Sequence, residues 1–152
     1  MVNQNRRQIT ISKEKAVFWM DKNGDFHNEH GKFEHPKIIK YFNAAIKKDE
    51  NGYFVHQITD EYEEKVYFSY EDTALFVIDI KIQEDILLIL NTSETIKLDM
   101  KHLFTKEDNL YLQTREHQVK FSSRALLKIS KFIGEKDDKL FFTFKGKTLP
   151  IR

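Results

Sequence analysis

Lys48-Asp49-Glu50-Asn51-Gly52-Tyr53-Phe54-Val55, followed a few residues later by Val66-Tyr67-Phe68-Ser69, is the stretch on which the fold turns. Asn51-Gly52 is a turn signal, and the aromatic and β-branched residues beyond it suit a strand that buries one face. The pattern returns at Lys106-Glu107-Asp108-Asn109-Leu110-Tyr111-Leu112 with Val119-Lys120-Phe121-Ser122 behind it, and a third echo stands at Lys136-Asp137-Asp138-Lys139-Leu140-Phe141-Phe142. This recurrence predicts an α+β chain of two repeated, β-rich halves, each an antiparallel sheet with one covering helix. Chance recurrence of acidic turns in a β-rich chain is the competing explanation. The halves divide near Gln83-Glu84-Asp85, giving an N-terminal α+β half over 1–83 and a C-terminal β-rich half over 84–152.

Outward from that stretch, Gln8–Ile11 and Ala16–Met20 read as short strands, with Asp21-Lys22-Asn23-Gly24-Asp25 as the turn into Phe26. His35-Pro36 opens a helix with an apolar stripe at Ile38, Ile39, Phe42, Ala45 and Ile46. Strands follow at 53–58, 65–70 and 74–82, then at 85–91, 95–98, 110–114 and 118–121. Ser122-Ser123 can cap a helix over 124–133, with Gly134 marking its end. A last hairpin, Leu140–Phe144 with Thr148–Ile151, turns at Lys145-Gly146-Lys147.

Composition supports this reading and narrows the function. The 152 residues are 40% hydrophobic, with 13 Phe, 6 Tyr and 1 Trp against 5 Gly and 2 Pro, enough for a packed, sheet-rich core. Charges nearly cancel, 25 basic against 24 acidic, which argues against general nucleic-acid binding. Absence of cysteine removes disulfides and thiolate metal sites and fits a cytoplasmic location. Met1 to Gln8 is polar and leads into no apolar segment, so no secretory signal is expected, and the apolar run Ile86–Leu90 is far short of the ~20 residues that span a bilayer. No membrane insertion is expected.

The motifs with chemical content favour no enzyme. Asp21–Asp25 superficially suggests a calcium loop, but that loop needs Gly at its sixth position and Glu at its twelfth, where Phe26 and Lys32 stand. His27, His30 and His35 with Glu29 have neither helical nor finger spacing and read as solvated histidines of a polar loop. Ser69, Ser122 and Ser123 lack a glycine-flanked elbow, and the glycines are scattered, so neither a nucleophile nor a phosphate loop is indicated. Lys37, Lys40, Lys47 and Lys48, and Arg124, Lys128 and Lys131, line the polar sides of the two helices. No catalytic residue, metal ligand or cofactor is predicted.

From Trp19 to Ala74 the chain resembles a bacterial family of uncharacterised proteins, domain-of-unknown-function family 1285. The ordered series is Trp19, Gly24-Asp25-Phe26, Gly31, His35-Pro36 before Ile39 and Phe42, Asp49-Glu50-Asn51-Gly52-Tyr53, and Glu64-Lys65 before Tyr70-Glu71-Asp72-Thr73-Ala74. The family typically has arginine where His35 stands and proline where Ala74 or Leu75 stands. The resemblance implies a duplicated core, a C-terminal half superficially like a pleckstrin-homology barrel, and a cleft between the halves that holds a nucleotide-like ligand in signalling.

The expected function is a non-catalytic ligand-sensing or adaptor module whose interdomain cleft is lined by Trp19, His35, Tyr70, Glu71 and Asp72, residue types that stack on and orient a small molecule. The competing reading puts Trp19 and Tyr70 in the core and Glu71-Asp72 in a turn. The alternative function is a protein–protein interaction module without a small-molecule ligand, working through an exposed sheet edge or aromatic patch in the C-terminal half.

Overall fold

In the computed structural model, which describes residues 6–152, the aromatic and β-branched runs between turn signals become strands of four sheets, accompanied by two short α-helices. The fold is α+β. Residues 1–5 of the polar stretch Met1 to Gln8 lie outside the described residues. Contacts divide the chain into two units, Met1–Ala74 and Leu75–Arg152.

The first unit contains β1 (Arg7–Ile11), β2 (Phe18–Met20), β3 (Phe26–Asn28), β4 (Gly31–Lys32), α1 (Pro36–Ala44), β5 (Ile46–Asp49), β6 (Gly52–Ile58), β7 (Tyr62–Tyr67) and β8 (Ser69–Tyr70). They form two four-stranded sheets, ordered β1-β7-β6-β5 and β4-β3-β2-β8. Pro36 at the start of α1 lacks only an N–H that would have no helical partner, and its fixed φ suits a first turn. Phe42 then brings α1 onto the second sheet, its ring 5.1 Å from that of Phe18 and 5.5 Å from that of Phe26. Met20, Phe26 and Phe68 are buried beside them, so the core of this unit is mainly an edge-to-face phenylalanine cluster.

The second unit contains β9 (Leu75–Ile82), β10 (Ile86–Leu90), β11 (Thr95–Lys97), β12 (Leu103–Lys106), β13 (Asn109–Gln113), β14 (Gln118–Phe121), α2 (Ser123–Ile129), β15 (Ile133–Lys136), β16 (Lys139–Phe144) and β17 (Lys147–Pro150). A six-stranded sheet runs β11-β10-β9-β14-β13-β12, and β15-β16-β17 make a three-stranded one. Ser122 caps α2, its hydroxyl accepting from Ala125 N–H at 3.2 Å. Ala125 and Ile129, both fully buried, seat the helix against β9 and β14.

Several expectations are corrected by pairings distant in sequence. The sheets are not purely antiparallel: β1 pairs with β7, β2 with β8 and β9 with β14 in parallel. The division falls at Ala74/Leu75, ahead of Gln83-Glu84, because β9 is hydrogen-bonded between β10 and β14 of the second unit. The helix read over 124–133 is α helix only through Ile129 and 3-10 over Ser130–Phe132, after which Ile133 and Gly134 enter β15 opposite Phe142 and Phe141. The segment read as a polar histidine loop is the β3–β4 hairpin, and Ile46 leaves the helical stripe to pair with Val55.

The sequence echo has a structural counterpart. A helical segment ending at Ala44, His102 or Phe132 leads at once, or after one residue, into a four-residue strand, a two-residue turn and a second strand. The equivalent pairs are Ile46↔Val55, Leu103↔Leu112 and Ile133↔Phe142 at the base, and Asp49↔Gly52, Lys106↔Asn109 and Lys136↔Lys139 beside the turn.

Candidate functional site

Trp19 lies in the middle of β2, and strand alternation turns it away from Phe18 and Met20, which enter the core. The Asp21–Asp25 turn sets the register of the next strand, pairing Trp19 with His27. The two rings stack with centroids 4.3 Å apart and planes 9° from parallel. His27 Nε2 is 2.7 Å from Asp21 Oδ2, which fixes the imidazole against the indole. Asp21 Oδ1 also accepts from the N–H groups of Asn23 and Asp25, at 2.8 and 3.1 Å. Burial works to raise the Asp21 pKa, but the His27 bond and the two backbone N–H groups outweigh it and hold the carboxyl below its ordinary value of 3.8.

On the other side of Trp19 the register neighbour is Ser69 in β8, whose side chain is too short to cover an indole. Trp19 is therefore stacked on one side and flanked by a small exposed residue on the other, and it retains 39% exposure. β8 continues beside β2 through Glu71, whose N–H donates to Met20 C=O at 3.0 Å. By alternation Ser69 and Glu71 share the Trp19 side of this edge. Glu71 is exposed and Asp72 half-buried.

The remaining residues of the predicted set do not join this platform. Tyr70 pairs with Met20 and so projects to the opposite pleat face from Trp19. There it lines a cavity of about 350 Å³ with Tyr53, Tyr67, Phe68, Asn51 and the Ser12–Glu14 segment. Tyr53 meets Tyr70 edge-on at 5.6 Å. Tyr67 donates its hydroxyl to Asp49 Oδ2 at 2.6 Å, a bond that raises the phenol pKa and lowers that of the carboxyl. His35 is the exposed residue preceding α1, where its C=O accepts from Ile39 N–H while its side chain makes no capping bond. The structure thus places Trp19 beside the Ser69–Asp72 segment, gives Tyr70 a different cavity and leaves His35 at a helix start. Neither Trp19 nor Tyr70 is a core residue.

His27, Asp21 and Ser69 surround Trp19 without belonging to the predicted cleft set; the sequence shows them only as a rejected metal ligand, calcium-loop residue and nucleophile. The signal was present in Asn23-Gly24: a turn closing Met20 onto Phe26 necessarily sets Trp19 opposite His27. Among the described residues, no group of three or more His, Asp or Glu side chains is arranged to hold a metal. No described helix is long and apolar enough to cross a membrane.

No family model matches this chain, and no curated protein does. Two solved structures share its fold. A DUF1285 family protein from Silicibacter pomeroyi DSS-3 aligns with a TM-score of 0.63 and 11% identity, over 97% of this chain and 83% of its own. A DUF1285 family protein from Shewanella baltica OS155 aligns with a TM-score of 0.50 and 20% identity, over 70% of this chain and 84% of its own. The chain has a DUF1285-like fold, a domain of unknown function, in agreement with the resemblance read from its residues.

Proposed function

We propose that this protein is a non-catalytic ligand-sensing or adaptor module that holds a planar, nucleotide-like ligand on the Trp19 platform of its first unit. The observation that carries the reading is the state of Trp19: one face stacked on an imidazole fixed by Asp21, the other flanked by Ser69 at a sheet edge, with the side chain 39% exposed. A preorganised indole gives a flat partner ring contact at little conformational cost, and stacking of a base on an aromatic side chain contributes ~1–3 kcal/mol. Glu71, exposed on the same side, suits acceptance of a hydrogen bond from a ligand hydroxyl or amine. The reading is non-catalytic because the titratable pair nearest the indole is already committed to holding it. Such a ligand-dependent surface fits a role in signalling in the cytoplasm.

The finer reading of the fold goes with this. The chain is a duplicated core whose second half is pleckstrin-homology-like, a reading supported by the recurrent helix–strand–turn–strand unit and by the lining of one cavity by residues of both β11 and β13, which are four places apart in the strand order.

Trp19 is the sole tryptophan, so its fluorescence reports the platform directly. Titration with purine and pyrimidine nucleotides and with cyclic and linear dinucleotides is expected to quench it saturably for one class. The same class should raise the unfolding midpoint, since a ligand at a hundred times its Kd adds ~2.7 kcal/mol. Glu71→Gln should weaken binding about tenfold. A ligand that stabilises the protein while leaving Trp19 emission unchanged would remove the platform from the proposal, and a panel that moves neither signal would remove the ligand.

A further inference from the structure

β11 ends the six-stranded sheet of the second unit, and its outer side is the feature of that unit without a role so far. Leu98 N–H donates to Ile86 C=O, and Leu90 N–H to Glu94 C=O. These bonds set the ladder phase, so that Ile96 faces β10 with its backbone groups while those of Thr95 and Lys97 point away from the sheet. An edge of this kind is a template for an additional strand.

The surroundings of that edge are concave and unevenly charged. One cavity of about 550 Å³ is lined by Lys97, Lys101, Lys145 and Lys147 together with Glu84, Asp85 and Asp99. A second, of about 520 Å³, shares Lys97 and Asp99 and adds the apolar Ile96 and Leu112, with His102 and Arg115 at its rim. Two of the three carboxylates are already engaged, Asp85 with Lys97 at 3.5 Å and Asp99 with the N–H of Lys101 and with His102 at 3.6 Å, and Arg115 and the four lysines still outnumber the acids across the two cavities. Among the described residues, no carboxylate lies within ion-pair distance of Lys101, Arg115, Lys145 or Lys147. Lys145 and Gly146, both at positive φ, form a tight turn that holds Lys145 and Lys147 at the cavity wall.

We infer that the β11 edge receives an extended acidic segment of a partner protein, added as a further strand. A strand projects successive side chains to opposite sides, so a sequence alternating acidic and apolar residues sets one row toward Lys101, Lys145 and Lys147 and the other toward Ile96 and Leu112. Backbone bonds to Thr95 and Lys97 supply register, and the lysines supply selectivity for the acidic row. This edge belongs to the second unit and the Trp19 platform to the first, and its role does not depend on the one proposed for the platform.

The test uses the full-length chain, isotope-labelled for NMR, and a short capped peptide of alternating glutamate and valine. Saturable shifts centred on the amides of Thr95 and Lys97 are expected, with a Kd on the order of 100 µM for this generic probe. The same peptide N-methylated at alternate residues, which cannot complete the ladder, should bind at least about tenfold more weakly, as should the wild-type peptide to the double variant Lys145→Glu with Lys147→Glu. Equal binding of the N-methylated peptide, equal binding of a lysine–valine peptide, or shifts that do not saturate would each overturn the proposal. Both substituted lysines are exposed, and a retained amide spectrum of the double variant shows that lost binding is not lost folding.

Discussion

Asp21 joins three tasks in one carboxylate: it closes the β2–β3 turn, caps two backbone N–H groups and holds His27 flat against Trp19. Its side chain is only 17% exposed, so these bonds are shielded from water. Asp21→Asn keeps the shape and removes the charge, and should cost about 1–2 kcal/mol at pH 5. Because the folded pKa lies below 3.8, the charged form contributes stability in full above 3.8 and loses it as pH falls through the lower folded value. Urea midpoints of the two proteins should therefore converge as pH falls below 3.8, and a gap that stays constant there would show that charge is not the cause. Ser69 offers the complementary change. Ser69→Leu at this exposed edge position should alter stability by no more than about 0.5 kcal/mol, yet reduce ligand quenching of Trp19 about tenfold by filling the space beside the indole. At this scale Trp19 was legible as a chemical feature, but its stacking partner was not. β3 has three residues and β4 two, too few for alternation to distinguish a strand from a polar loop around His27.

Elements, in contrast to single residues, repeat. The helix–strand–turn–strand unit was visible through its turns, since turn pairs with at least one acidic residue recur before aromatic strands at Glu50-Asn51, Glu107-Asp108 and Asp137-Asp138. Its first strands were missed at Leu103–Lys106 and Ile133–Lys136, because four residues with charged members carry little hydrophobic pattern and Ile133 suits a helix face as well as a strand. Only the pairing Ile133↔Phe142, which buries Phe142 completely, decides that ambiguity. The turns themselves carry a cost. Glu107 and Asp108 sit at φ of 50° and 65°, both left-handed, where side chains beyond glycine and asparagine are disfavoured. Replacing the pair with Asn-Gly keeps the turn type and should stabilise the second unit by about 1 kcal/mol. In a chain of this length that is a rise of roughly 2–4 °C in its unfolding midpoint, followed by near-ultraviolet circular dichroism at the β12–β13 tyrosine Tyr111 and its neighbours. No rise would mean that the turn conformation is already relaxed by bonds such as Asn109 Nδ2 to Glu107 C=O.

At the scale of the whole chain, α+β class and a two-part organisation could be read from composition and recurrence, whereas the position of the division could not. β9 was recognisable as a strand from Leu75-Phe76-Val77-Ile78, but its allegiance rests on parallel pairing of Phe76 with Lys120, a contact between residues far apart in sequence for which no local pattern exists. That pairing makes a strong prediction. Leu75–Arg152 has its own buried set, including Val77, Leu88, Leu103, Tyr111, Leu112, Val119, Ile129 and Phe142, drawn from both of its sheets and from α2. A segment with its own core and complete ladders should fold when produced alone. We expect the 75–152 fragment to give a dispersed amide spectrum and a cooperative urea transition, whereas a fragment cut at the position first read, 84–152, lacks β9 and removes the strand between β10 and β14. Cutting there leaves two separate pieces of sheet, β10-β11 and β12-β13-β14, and unseats α2 from the strand it packs against. The shorter fragment should be undispersed and bind hydrophobic dye. If both fragments fold, or neither does, β9 is not the organising strand of the second unit, and the division between the halves must lie elsewhere than Ala74/Leu75.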